Sequence, residues 1–383
     1  MSIGALASVT QRTWDLLVVG AGPAGCAAAI QSARAGIDVL LVDKAAFPRW
    51  KVCGCCINQN AQQSLIVLGA ESLLDDCRAC HVDRLELRAA GQRANVRLPG
   101  YRVLSREVLD ESLSEKACRS GAVFLPSTSA TMIQSEREHR VVRLTRDAEI
   151  VSVRARIVVA ADGLGGRLLH TIDAIDSAPY PSSRIGAAAT IEPLPDWYEP
   201  GVIHMACGGG GYVGITSDER QRGAVGAAFD VRFVKEQGGL AAAARAVLRE
   251  AGHADAEWAC SVQWRGTPEL TRRVTRLSAH RAFVVGDAAG YVEPFTGQGM
   301  SWALASGTAV AQFVLRGVRQ FDPRLQREWA QTYRRVISKR LWPCRAISIA
   351  LRHPTWISHS IRILDTVPLA AWPVVHHINK AVR

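Results

Sequence analysis

The chain is short of several features that would assign it quickly. No run approaches the ~20 consecutive apolar residues of a membrane-spanning helix. Met1 to Thr13 lacks the charged-then-apolar pattern of a secretion signal, so cytoplasmic location is the expectation. Internal repeats and low-complexity tracts are absent from the sequence. It contains no recognised nucleic-acid module, so its net charge of +11 does not imply DNA or RNA as a partner. Ten cysteines in such a chain read as thiols rather than as a disulfide framework. What is present is ordinary for a globular protein: 48% hydrophobic and 21% charged residues. Its 383 residues suffice for two domains, or for one domain with a second inserted.

The positive charge is concentrated at one end. Asp322 to Arg383 carries 11 Lys/Arg against 3 Asp/Glu, mixed with Leu341, Trp342, Ile347, Ile349, Leu351, Trp356, Ile357, Ile361, Ile363, Leu364, Leu369 and Trp372. Two readings stay open. One is a helical tail packed on the core with a solvated basic face. The other is peripheral membrane contact, or a lid over a lipid-like substrate.

Residues 14–43 form a coherent unit. The apolar run Leu16-Leu17-Val18-Val19 reads as a buried strand leading into Gly20-Ala21-Gly22-Pro23-Ala24-Gly25. Alanine-rich sequence from Ala24 to Ala35 reads as a helix capped by Gly36. A second apolar run, Val39 to Val42, ends in Asp43 and Lys44. Each part has a task at a dinucleotide site. Gly20 permits the tight turn, Gly22 lets the backbone approach a pyrophosphate, and Gly25 lets helix and strand pack closely. Pro23 and Ala24 open a helix whose free N–H groups and positive dipole end suit phosphate, while Asp43 can accept from ribose hydroxyls. Gly209 to Gly214 also spells GxGxxG, but Ile215 to Arg220 reads as strand then turn, so this second match is a glycine-rich hairpin. With one dinucleotide unit, the chain departs from flavoprotein disulfide reductases, which carry two.

Farther along, Val158-Val159-Ala160-Ala161-Asp162-Gly163 reads as a strand entering an acidic turn. Ala282 to Val285 runs into Gly286-Asp287-Ala288-Ala289-Gly290, then Val292-Glu293-Pro294-Phe295-Thr296-Gly297-Gln298-Gly299-Met300 and an Ala-rich helix to about Gly317. This ordered set resembles the single-Rossmann FAD-dependent oxidoreductase superfamily with the para-hydroxybenzoate hydroxylase type of fold. That group includes aromatic-ring hydroxylases, flavin-dependent halogenases and geranylgeranyl reductases, and the likeness covers most of residues 12–318. It implies FAD-binding positions at Asp162 and Gly286, with Asp287 on the ribityl chain. It also implies that the Pro294–Gly299 loop, with Gly297, Gln298 and Gly299, lies along the isoalloxazine ring. The helix opened by Met300 would aim its N-terminus at the N1–C2 edge, where negative charge is favoured by ~0.3–2 kcal/mol. Arg102 to Asp110 is similar to the family's Arg-containing segment, which brings Arg106 to the ribityl–pyrophosphate region. Phe47-Pro48-Arg49-Trp50-Lys51-Val52-Cys53-Gly54 resembles the stretch of geranylgeranyl reductases in which Lys-x-Cys-Gly approaches the flavin, implying places there for Lys51 and Cys53.

The pattern also departs from its relatives. Halogenases and geranylgeranyl reductases carry Trp-x-Trp-x-x-Pro and Tyr-x-Trp-x-x-Pro motifs, respectively. Gly211 to Thr216 keeps Tyr212 but neither the second aromatic nor the proline, which argues against halogenation. Trp264, Tyr212, Trp197 and Trp258 are candidates for lining an apolar pocket, although such aromatics are commonly core. Cys53, Cys55 and Cys56 form one cysteine group; Cys77-Arg78-Ala79-Cys80-His81 has a haem-attachment spelling. Haem attachment goes with export, and the joint spacing matches no standard zinc or iron–sulfur frame, so no metal is expected. Cys53 and Cys56 are read instead as small side chains near the flavin, with a redox role for Cys53 left open.

The expected architecture is α/β: a discontinuous Rossmann-like FAD-binding domain (12–80, 101–175 and 276–318), an inserted, mainly antiparallel β substrate domain (82–98 and 176–275), and a helical C-terminal tail (319–383). The expected activity is that of an FAD-dependent oxidoreductase on an apolar or aromatic small molecule, with NAD(P)H as a transient electron donor. Monooxygenation is the first reading. Reduction of a carbon–carbon double bond in an isoprenoid or lipid-like substrate is the alternative, and a membrane-docking electron-transfer flavoprotein the third. Cys53, Tyr212 and Pro294 are the candidates for a direct role; no general acid or base follows from spacing.

Overall fold

The apolar runs that flank the glycine loop fold as neighbours. The computed structural model describes residues 6–379 apart from Arg167, Asp173, Ala174 and Pro294. Strand Thr13–Val19 pairs in parallel with Val39–Val42 on one side and with the end of Glu149–Ala160 on the other. The sheet continues through Ala282–Val284 to Ser278–Ala279 at one edge and closes with Val123–Leu125 at the other. Leu16, Leu17, Val18, Leu40, Leu41, Val158 and Val159 have no exposed surface. Continuous apolar runs, rather than alternating ones, are what a parallel sheet covered on both faces requires. The first half of Glu149–Ala160 pairs instead with Arg140–Arg146, which pairs with Ser129–Ser135, so an antiparallel meander grows from the parallel layer.

Helix Pro23–Arg34 packs beside Arg106–Arg119 and the 21-residue helix Gly299–Arg319. The contact with the long helix is close because Gly307 has no side chain. A Cβ there would lie 2.0 Å from the Ala24 carbonyl oxygen.

The second sheet runs in the order Arg265–Glu269, Ile185–Ile191, Gly223–Phe229, Gly211–Ser217, Val202–Gly208, Cys80–Ala89, Gln92–Val103 and Cys56–Ile57. Its pairings are antiparallel except that of Val202–Gly208 with Cys80–Ala89. The second GxGxxG is the tight turn between Val202–Gly208 and Gly211–Ser217, a hairpin. Alternation along the strands gives the sheet two unlike faces. Val213, Ile215, Val225, Ala227 and Phe229 lie under helix Leu240–Glu250. Tyr212, Gly214, Ala224, Gly226 and Ala228 are paired positions one residue out of step with these. The architecture is thus α/β, with a mainly parallel nucleotide-type sheet, a mainly antiparallel second sheet and helices at the C-terminal end.

Those last helices are Arg324–Tyr333, Lys339–Ala350 (reached through a π-turn at Arg334–Ser338), Pro354–Thr366 and Trp372–Asn379. Trp329 is fully buried against Phe283 and Phe313, which fixes the start of the tail on the first sheet. Pro354–Thr366 packs on Gln92–Val103 and Cys80–Ala89. Between these anchors lies an ion network. Buried Glu293 accepts from Arg184 at 3.1 Å, Ser348 at 3.1 Å and Arg352 at 3.3 Å, and Asp230 accepts from both arginines. Among the described residues, no helix is long and apolar enough to cross a membrane.

Candidate functional site

The loop Gly20–Gly22 joins the first strand to helix Pro23–Arg34, with Gly22 as N-cap and Pro23 at the first helical position. Proline costs nothing there, because that N–H has no partner within the helix. Gly20 has φ +104°, and a Cβ on it would lie 2.3 Å from the Ala161 carbonyl oxygen; a Cβ on Gly25 would lie 1.8 Å from the Gly20 carbonyl oxygen. Both positions therefore demand glycine, and the loop is pressed against the chain just before Asp162. Asp43, buried, closes it from the other side: Oδ2 accepts from the Ala21 N–H at 2.8 Å and Oδ1 from the Ala45 N–H at 2.9 Å. Oδ2 also lies 3.6 Å from the Arg49 guanidinium, while Oδ1 keeps a second lone pair for a ribose hydroxyl. Burial pushes the Asp162 carboxyl up, opposed by the Leu168 N–H and, less, by the charge of exposed Lys44.

Two guanidinium groups stand over Gly22. A Cβ on that residue would come within 3.4 Å of Arg49 and 3.7 Å of Arg106. Arg106 opens its helix behind the N-cap Ser105 and donates to both oxygens of Asp110, at 2.9 and 2.7 Å. Arg49 approaches the same carboxylate at 3.0 Å, and Asp110 has no exposed surface. Two cations held by one buried anion above a helix N-terminus make a cradle for a pyrophosphate. Of these three, only Arg106 follows from the sequence likeness. The i,i+4 spacing of Arg106 and Asp110 was the available signal for the carboxylate; Arg49 lies far from both in sequence, and its only signal was membership of the Phe47–Gly54 stretch.

Lys51 and Asp287 come together from opposite ends of the chain. Burial pushes the Lys51 ammonium below its ordinary value, with Arg106 adding to the effect. Burial pushes the Asp287 carboxyl up, opposed by Lys51 and Arg106. Neither side chain has a hydrogen bond or ion pair among the described residues. Asp162 accepts from the Leu168 N–H at 3.0 Å through Oδ2, but its Oδ1 is buried and unpartnered. Gly163 turns toward Lys51: a Cβ there would be 3.3 Å from Nζ. Asp287, Gly163 and Arg272 border one solvent-open cleft, and Lys51, Arg106 and Cys53 border another. Buried polar groups without partners are costly unless a ligand satisfies them. A ligand bearing phosphates, hydroxyls and ring polar atoms together meets this set, and FAD has all three.

The cysteine segment spans the gap between the sheets. A Cβ on Gly226 of the second sheet would lie 3.2 Å from Gly54 Cα, and one on Gly297 (φ +66°) would lie 3.7 Å from Cys56 Cβ. Cys56 then starts the edge strand by pairing with Val103. Cys53 Sγ accepts from the Cys55 N–H at 3.3 Å. Hydrogen bonding with Cys55 first, and the Arg106 charge after it, hold the Cys53 thiol down to about 6 against the effect of burial. Burial pushes Cys56 up to about 12, and the hydrogen bond with Cys53 pushes Cys55 up. One acidic thiol therefore faces the cavity that Lys51 borders. The other cysteine group divides: Cys77 meets Ser112 Oγ at 3.5 Å, whereas Cys80 donates to the Asp218 carbonyl at 3.1 Å and packs in the same apolar cluster as Cys53, Cys55 and Cys56, across Val103 from Cys56.

Gln298 is buried and accepts from the Ser301 hydroxyl, and Met300 is buried in the first turn of Gly299–Arg319. Gly286 donates its N–H to Ser306 Oγ at 3.0 Å, which ties the Asp287 turn to the same helix. Pro294 lies outside the described residues. Its neighbour Phe295 meets the Tyr212 ring edge-to-face at 5.1 Å, and the Tyr212 hydroxyl is buried without a partner. The four aromatics considered together in the sequence do not converge. Trp197, Trp258 and Trp264 pack with the helix-covered face of the second sheet, whereas Tyr212 belongs to the opposite face.

A family model described as an FAD binding domain matches residues 13–319. The chain belongs to that family. It is an FAD-dependent oxidoreductase. Digeranylgeranylglycerophospholipid reductase 1 of Methanopyrus kandleri is 30% identical over 84% of this chain and 87% of its own length. Menaquinone reductase of Mycolicibacterium smegmatis is 28% identical over 79% of this chain and 76% of its own. Among solved structures, a geranylgeranyl bacteriochlorophyll reductase-like protein from Thermoplasma acidophilum superposes with a TM-score of 0.79 at 18% identity, covering 96% of this chain and 97% of that one. The flavin-dependent brominase Bmp2 gives 0.79 at 15%, covering 97% and 94%. At such identities the two structures speak for the fold of this oxidoreductase and no further.

Proposed function

We propose that this oxidoreductase saturates carbon–carbon double bonds in an isoprenoid or similarly lipid-like substrate, with electrons drawn from NAD(P)H. The observation that carries the reading is the wall opposite the cysteine segment. Ala188, Gly214, Ala224, Gly226 and Ala228 are paired positions on adjacent strands, and the same face continues into an apolar cluster of Tyr212, Phe295, Leu351, Ile357 and Ile361. A wall of small residues leading to an apolar cluster suits a long, thin hydrocarbon. Two relatives named as reductases of lipid-linked or quinone substrates support it, as does the Lys51-Val52-Cys53-Gly54 stretch.

Bound FAD supplies two-electron chemistry. The protein's own residues do the rest. Arg49 and Arg106 hold the pyrophosphate, Asp43 and Asp287 accept from hydroxyls, and Lys51 places a positive charge beside them. The small-residue wall orients the hydrocarbon, and the apolar cluster keeps water from it. Cys53 Sγ, its thiol held down by Cys55 and Arg106, adds a negative charge to the cleft that Lys51 borders.

Monooxygenation remains the second reading, favoured by Tyr212 standing without the second aromatic and proline of prenyl reductases. Mass spectrometry separates the two. The FAD-loaded protein is given NADH or NADPH and either a menaquinone or a geranylgeranyl lipid, with and without air. Reduction adds two hydrogens per double bond whether or not air is present. A product heavier by one oxygen, formed only in air and without any saturated species, would replace this proposal with the second reading.

A further inference from the structure

The outer surface of the C-terminal helices is unlike the rest of the molecule. Trp342 (74% exposed), Trp356 (57%), Trp372 (60%) and Leu369 (79%) project there together with exposed Ile349, Ile363, Val367 and Val374. Trp342 and Ile349 lie two turns apart on Lys339–Ala350, as do Trp356 and Ile363 on Pro354–Thr366, so each helix shows one apolar outer stripe. Their inner stripes are Cys344, Ser348 and Leu351 on the first helix and Ile357 and Ile361 on the second, all buried. Water-soluble surfaces seldom gather large apolar side chains this way without an occupant.

The charges around them narrow that occupant. Arg345 (its guanidinium 5.5 Å over the Tyr180 ring) and Arg362 are exposed on the first two helices, Arg334 and Arg335 on the π-turn that leads into them, and Asp365 is the one carboxylate between residues 340 and 379. A second copy of the chain would meet this surface with the same surface in a two-fold dimer, setting arginine against arginine. An anionic bilayer answers both components: its headgroups take the guanidinium groups, and its interfacial layer takes indole and aliphatic side chains. None of the described helices can span a membrane, so the contact is lateral. We infer that the outer face of helices Lys339–Ala350, Pro354–Thr366 and Trp372–Asn379 docks on an anionic lipid surface, with its tryptophans in the headgroup layer. The inner stripes of the first two helices contribute Leu351, Ile357 and Ile361 to the apolar cluster beside Tyr212 and Phe295. The docked element is therefore also the wall between lipid and that cluster.

Co-sedimentation of the full FAD-loaded chain with vesicles tests this without any substrate, so the outcome is independent of the reaction catalysed. One set is phosphatidylcholine; the other is one part phosphatidylglycerol to two parts phosphatidylcholine. Affinity for the anionic set is expected to be at least about tenfold higher, and to fall with salt. Replacing Arg345 and Arg362 by Gln should weaken it by about fivefold each. The triple variant Trp342→Ser, Trp356→Ser, Trp372→Ser should lose at least about tenfold. Circular dichroism and FAD content should not change, since these side chains face outward. No binding by the wild type, equal binding to both vesicle sets, or an undiminished triple variant overturns the inference. So does a concentration-dependent dimer that the triple variant abolishes, because the patch would then belong to a second copy.

Discussion

Single residues at the cradle carry different kinds of cost. Asp110 is a buried anion shared by Arg49 and Arg106. Removing it strips Arg106 of both carboxylate bonds and leaves Arg49 with Asp43 at 3.6 Å. Asp110→Ala should lose about 3–5 kcal/mol of stability in urea titrations of the FAD-free protein, the usual cost of breaking a buried ion pair. FAD retention on gel filtration should fall with it. Cys53 makes a kinetic prediction. Its thiol is held down to about 6, whereas those of Cys55 and Cys56 are raised, so iodoacetamide should modify Cys53 ahead of Cys55 and Cys56 at pH 7. The rate should climb as pH passes through about 6 and then level off, and bound FAD should suppress it. Peptide mass spectrometry reads both effects; modification led by Cys56 would contradict the assignment.

At the level of elements, two contacts hold the site together. Helix Gly299–Arg319 reaches the nucleotide-binding helix only because Gly307 leaves room for the Ala24 carbonyl. Gly307→Ala forces the helices apart at the position that opens the phosphate-binding end, with an expected loss of roughly 1–3 kcal/mol and weaker FAD binding by fluorescence titration. Glu293 is the other contact. It joins Arg184 of the second sheet to Ser348 and Arg352 of the tail, so Glu293→Ala strips three partners at once. Protease cleavage within 339–353 should quicken well before global unfolding, while the Trp329 end of the tail stays attached. These two contacts differ in legibility. The strand–loop–helix unit at Gly20–Gly25 was readable because periodicity and glycine spacing are local. Nothing local marked Gly307 or Glu293, whose roles exist only after distant segments have met. The same holds for Tyr212 and the three tryptophans: their types suggested one pocket, but strand alternation sends them to opposite faces.

For the whole molecule, acid should be the destabilising direction. Burial pushes His253 down to about 4 from an ordinary 6.5, and a hydrogen bond with His204 chiefly holds Glu86 down to about 2 from 4.5. Folded-state values below the unfolded ones mean that the unfolded chain takes up protons first as pH falls. The stabilisation is complete above about 6.5 for His253 and above about 4.5 for Glu86, and each is lost as pH drops through the folded value. As His253 and Glu86 titrate, melting temperature should fall between pH 6.5 and 4, and fall again below 4.5. His253→Gln should remove the first decline and keep the second. Fold class was legible from the ordered motifs because they recur at the ends of successive strands. The partition between sheets was less so: Cys56–Ile57 sits in sequence with the nucleotide unit but is hydrogen-bonded to the other sheet. The chain between Val42 and Cys56 is thereby a strap clamped at both ends, with Lys51 and Cys53 along its length. If the sheets part to admit a bulky hydrocarbon, that strap must tighten or buckle, and the charge beside the coenzyme shifts with it.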